Sequence, residues 1–82
     1  MRQTLDNPRR SPALGAAIRA AEEIGCTLGK GYTLGNTVIG IDLTGPKGEL
    51  FSVEFRPENF RKGGDFVRQK AANLGIIPRP GP

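Results

Sequence analysis

Residues 37–55 read TVIGIDLTGPKGELFSVEF, and their alternation decides the fold. Ile39, Ile41 and Leu43 share one face, with Val38, Gly40 and Asp42 opposite. Phe51, Val53 and Phe55 repeat the pattern against Leu50, Ser52 and Glu54. A period of two belongs to a strand with one buried face. Between the runs, Gly45-Pro46-Lys47-Gly48 places Pro second and Gly fourth, as a type I turn takes them. The stretch is a β-hairpin, and its Ile/Leu/Phe face needs a cover.

Two helices on either side can supply that cover. Upstream, Ser11-Pro12 makes a helix start, with Ser as cap and Pro as the first helical residue. Leu14, Ala17, Ile18, Ala21 and Ile24 then recur at helical spacing, while Arg19, Glu22 and Glu23 fall off the stripe. Gly25 ends the helix as a left-handed cap. Residues 26–33, CTLGKGYT, read as a weak strand, and Leu34-Gly35-Asn36 as the turn into the hairpin. Downstream, Pro57-Glu58-Asn59-Phe60 reads as a loop or single turn. Asp65 caps a second helix carrying Phe66, Val67, Lys70, Ala71 and Leu74, which Gly75 and Pro78 close. This order predicts an α+β fold: a two-layer α-β-β-β-α sandwich, an antiparallel three-stranded sheet with two helices on one face. Residues 1–10 read as a flexible N-terminal arm, 11–77 as the domain and 78–82 as a disordered Pro-rich tail.

At 82 residues the chain holds one domain. Domains of this size bury only about 60–65% of their unfolded surface, so stability is marginal. The single cysteine, Cys26, excludes an internal disulfide framework and a multi-cysteine zinc site, and reads as a small buried apolar residue. The absence of histidine removes the commonest general base near neutral pH and most transition-metal sites. Gly25 and Gly29 enclose three residues where a Walker loop encloses four, and helix precedes strand, so no nucleotide loop is present. No catalytic residue, metal or cofactor is assigned, and the reading leans away from an enzyme. The N-terminus lacks the apolar run of a secretory signal and no stretch is long enough to span a bilayer, so no membrane partner and a cytoplasmic location are expected.

Charge is unevenly placed. Through Phe55, six basic residues meet six acidic ones. From Arg56 onward, Arg56, Arg61, Lys62, Arg68, Lys70 and Arg79 face only Glu58 and Asp65, so the net charge of +4 lies in the last third. A basic surface of this kind suits a polyanion. Lys62-Gly63-Gly64-Asp65 opens the second helix, where free amides carry partial positive charge and paired glycines admit a phosphate closely. Arg61, Lys62, Arg68 and Lys70 would flank that phosphate, and the Asp65 carboxylate would compete with it. The structural alternative is a solvated helix start in which the glycines only ease a turn. Lys30 and Tyr32, beside Gly35-Asn36-Thr37, form a second candidate surface. Tyr32 there serves either to stack a base or to close the edge of the core. Arg56 can reach a phosphate or pair with Glu54 or Glu58.

The element order and certain residues resemble the HicA-type (YcfA-like) toxins, small mRNA interferases with a fold like the double-stranded-RNA-binding domain. The likeness runs from about Leu14 to Ile77. It rests on Ile24-Gly25-Cys26 after the first helix and on Gly35-Asn36-Thr37 leading into Val38-Ile39. It continues with Val53-Glu54-Phe55 passing through Arg56 to Lys62-Gly63-Gly64, and ends at Gly75-Ile76. The family's catalytic histidine would fall near Thr37, and this chain has none. The resemblance thus implies a member that keeps an RNA-facing surface and has lost cleavage. The expected partner is nucleic acid, RNA ahead of DNA, held by Arg56, Arg61, Lys62, Gly63, Gly64, Arg68, Lys70, Lys30 and Tyr32. The rival expectation is a phage- or plasmid-type accessory protein that binds a host protein or an antitoxin; a histidine-free nuclease ranks third.

Overall fold

The computed structural model describes residues 2–78. In chain order they form β1 (Arg2–Thr4), α1 (Gly15–Glu23), β2 (Thr27–Leu34), β3 (Val38–Thr44), β4 (Leu50–Phe55) and α2 (Gly63–Asn73). Three 3-10 segments, Pro8–Arg10, Pro12–Leu14 and Pro57–Lys62, join them. The strands make one antiparallel sheet in the order β1-β2-β3-β4.

The hairpin sets the core. Ile39 pairs with Phe55, Ile41 with Val53 and Leu43 with Phe51, so the apolar rows of β3 and β4 share one face. Both helices cover that face: Ala17, Ile18 and Ala21 from α1, with Leu14 from the 3-10 turn before it, and Val67 from α2. Phe66 of α2 stacks on Phe55 with ring centroids 5.6 Å apart. The helices end by the same device. Gly25 and Gly75 adopt φ of 84° and 78°, which lets the next amide reach back five residues, Cys26 to Ala21 and Ile76 to Ala71. Cys26 is buried, and burial, followed by the charge of Glu49, pushes its thiol pKa up. It is an unreactive packing residue.

Three expectations are corrected. The sheet has four strands, not three, because Arg2–Thr4 pairs with Leu34–Tyr32 of β2. Residues 2–10, expected as a flexible arm, continue that attachment. The Leu5 amide donates to the Gly31 carbonyl at 2.8 Å, and Leu5 packs on the core. Asn7 caps the next 3-10 segment through the Arg9 amide at 3.0 Å, while Arg9 pairs with Glu22 of α1 at 2.7 Å. Second, Ser11 makes no side-chain cap; its carbonyl takes the Leu14 amide and the α-helix begins only at Gly15. Third, α2 begins at Gly63, so Asp65 lies inside the first turn and meets Arg68 at 3.4 Å instead of capping.

The weak strand pairs along its length with β3, from Thr27 opposite Thr44 to Leu34 opposite Val38, with an irregularity between Leu28 and Gly31. The tail expectation falls, from Arg79 onward, outside the described residues. Among the described residues no helix is long and apolar enough to cross a membrane.

Candidate nucleic-acid interface

The nine candidate residues do not form one surface. Arg56, Arg61 and Lys62 belong together, on and just before the 3-10 segment Pro57–Lys62 that links β4 to α2. Pro57 fixes the first turn, and the Asn59 amide closes onto the Arg56 carbonyl at 2.8 Å. All three cations are exposed, and none takes part in an ion pair among the described residues. Only Glu58 opposes them in this segment. Phe60 lies among them, 40% exposed, with the Arg61 guanidinium 5.6 Å from its ring centre.

Gly63 and Gly64 are not the expected phosphate seat. Both are buried in the contact between the two helices. A Cβ on Gly63 would stand 3.2 Å from the Ala17 nitrogen, and one on Gly64 would stand 3.4 Å from the Ala16 carbonyl oxygen. The Gly63 amide already donates to the Phe60 carbonyl, because the 3-10 segment runs straight into α2. A helix continued from a preceding turn does not present the open amides of a free N-terminus. The glycines therefore serve close helix packing.

Arg68 is committed elsewhere. It bridges Glu23 of α1 at 3.3 Å and Asp65 at 3.4 Å. Lys70 is exposed but lies in the last turn of α2, about 12 Å along the axis from Lys62 at 1.5 Å per residue. It lines a cleft beside Glu54 rather than joining the cations of the 3-10 segment.

Tyr32 and Lys30 sit on the sheet face turned away from the helices. Tyr32 is only 1% exposed. Its ring lies across Gly40, its cross-strand partner, and its hydroxyl donates to Glu54 Oε2 at 2.5 Å. The Arg2 guanidinium covers the ring at 3.9 Å and also pairs with Asp42. No base can stack on a ring so covered; Tyr32 is a buried packing residue of this outer sheet face and does not close the edge of the helix-covered core either. Burial and the bond to Glu54 push the Tyr32 pKa up to about 12. At Asp42, burial opposes ionisation, but the Ser52 hydroxyl at 2.6 Å, Arg2 and Lys30 together hold the carboxyl below the usual range.

Sequence reading missed Phe60, taken as part of a loop, and the Arg2–Tyr32–Glu54 lattice. A signal for the second was present: glycine at Gly40, in the middle of a strand, marks a close approach by another group. Thr37, where the resembled family would carry histidine, is exposed in the β2–β3 turn. No cluster of His, Cys, Asp or Glu that could hold a metal occurs among the described residues. No family model, curated protein or solved structure matches this chain. The likeness to HicA-type toxins stands on the quoted residues alone.

Proposed function

We propose that the chain is a small, non-catalytic nucleic-acid-binding module, for RNA ahead of DNA, that contacts its ligand through residues 56–62. One observation carries the reading: three exposed cations, Arg56, Arg61 and Lys62, unpaired among the described residues, share one short segment with the half-exposed ring of Phe60, and Arg61 lies 5.6 Å from its centre. Cations neutralise phosphates, and an exposed aromatic between them offers a face to an unstacked base. Splayed bases are the usual target of RNA-binding surfaces, which puts RNA first. Arg68 and the buried glycines drop out of the contact set and belong to the scaffold that holds the 3-10 segment in place. The lack of histidine supports binding without cleavage.

The test is binding of labelled single-stranded RNA, duplex RNA and duplex DNA across a salt series, with the strands checked for cutting. Replacing Arg56, Arg61 and Lys62 by Ala should make the log Kd against log salt slope shallower by about 2 on a single strand, at roughly 0.7 per phosphate contact. Phe60→Ala should cost about 1–3 kcal/mol on single strands and less on duplexes. An unchanged slope in the triple variant, or no binding by the wild type at low salt, sinks this reading. Absence of nucleic-acid binding would favour the rival, an accessory protein docking on a host protein or antitoxin.

A further inference from the structure

The structure assigns β4 as a pairing edge whose partner is β4 of a second copy, joined antiparallel about Val53. β4 closes one side of the sheet. It is six residues long, its register with β3 is unbroken, and it contains neither Lys nor Pro. Short length, charged side chains (Lys above all), Pro or a bulge are among the means by which edge strands avoid association. The opposite edge is guarded by being three residues long; β4 carries one charge, Glu54, which the Tyr32 hydroxyl holds, and no other guard of this kind. Leu50, at its start, is 83% exposed. Beneath the edge, between β4 and α2, runs an open cleft of about 560 Å³ lined by Val53, Glu54, Phe66, Gln69 and Lys70 among others. Phe51, Phe55 and Phe66, three of the four phenylalanines, gather on this side of the molecule.

The strand complements itself. In a two-fold antiparallel pair one residue lies opposite its own copy, and the buried faces stay continuous because paired residues then share parity. Centring on Glu54 sets two carboxylates against each other, and centring on Ser52 sets exposed Leu50 against Glu54 twice. Centring on Val53 removes both conflicts. Val53 meets Val53, and Phe51 meets Phe55 on the helix-covered face. On the other face Ser52 lies beside Glu54, and the aliphatic stem of Arg56 covers Leu50. Every pair in the overlap is then matched in polarity or free of like charge. A foreign strand would have to reproduce this pattern; a second copy carries it already.

Sedimentation equilibrium on the full chain tests the pairing, with charge placed at Leu50, whose exposure lets variants fold. Leu50→Lys sets a cation against Arg56 twice and should raise the dimer Kd about tenfold. Leu50→Glu should hold or lower it. A monomeric mass at all concentrations up to about 1 mM overturns the proposal. So does the reverse order of the two variants, which belongs to the Ser52-centred register. A second measurement is independent of net charge: under oxidation, Leu50→Cys chains mixed with Arg56→Cys chains should crosslink to each other, and neither to itself. Self-linking of Leu50→Cys chains in preference to the mixed product would equally overturn the register.

Discussion

Adding one methyl group to Gly40 separates the packing on the open sheet face from everything else in the fold. A Cβ at this position would stand 2.5 Å from Tyr32 Cζ, 2.7 Å from its Oη and 2.8 Å from Cε2. The ring has no easy retreat, because Arg2 covers its outer side and its hydroxyl is tied to Glu54. Gly40→Ala therefore expels the ring. Overpacking costs about 1–3 kcal/mol. The lost bond to Glu54 adds roughly 1 kcal/mol, modest because that side chain is exposed. Relief of the glycine's unfolded-state entropy returns about 0.5–1 kcal/mol. The net loss is about 2 kcal/mol, a large share of what holds a domain this small. Urea denaturation followed by circular dichroism should show the midpoint falling with the slope unchanged, and the melting temperature dropping by roughly 12 °C. The decisive comparison is with Tyr32→Ala, in which Gly40→Ala should cost nothing or slightly stabilise. Equal losses from Gly40→Ala in the two backgrounds would refute the account.

The helix contact and the buried phenol give two more tests. Gly63→Ala should cost about 1 kcal/mol, its crowding against Ala17 and Phe55 partly offset by better helix propensity, while the proposed RNA binding, measured on the folded protein, stays unchanged; unaltered melting with weakened binding would instead restore Gly63 as a phosphate seat. Tyr32 keeps its proton in the fold up to about pH 12, whereas an unfolded tyrosine loses it near pH 10. A pKa raised by folding contributes stability that is complete below the unfolded value and vanishes as pH climbs through the folded one. Stability should thus fall between about pH 10 and 12, and Tyr32→Phe should remove that dependence in alkaline denaturation curves.

The hairpin and both helices were legible because their signals are local and redundant. Ile39, Ile41 and Leu43 alternate with period two, Leu14, Ala17, Ile18 and Ala21 repeat with period near four, and glycine stands at each helix end. β1 was not legible, for a definite reason. Three residues carry no measurable alternation, and what holds them is non-local: Arg2 must reach Tyr32 and Asp42. Read by composition, residues 2–4 are polar and exposed, which is equally the mark of a free arm. Edge strands held by side-chain pairs on a solvated face leave little imprint on the sequence that forms them.

The site was misread at Gly63-Gly64 because paired glycines at a helix start have two physical uses that look the same in one dimension. They can admit a phosphate to open amides, or admit a second helix to close contact. What separates them is whether the preceding residues turn. Pro57-Glu58-Asn59 begins a 3-10 segment that runs to Lys62, so the chain reaches Gly63 with its carbonyls already directed at the next amides. The small residues of α1 supply the rest, since Ala17 faces Gly63 while Ala16 and Ala20 face Gly64. A glycine pair in one helix and a run of alanines in another, each at the start of its apolar stripe, is the signature of two helices crossing closely. The same turn that closes the amides lifts Arg61 and Lys62 into solvent beside Phe60, so the segment that removes one anion site builds the surface proposed in its place.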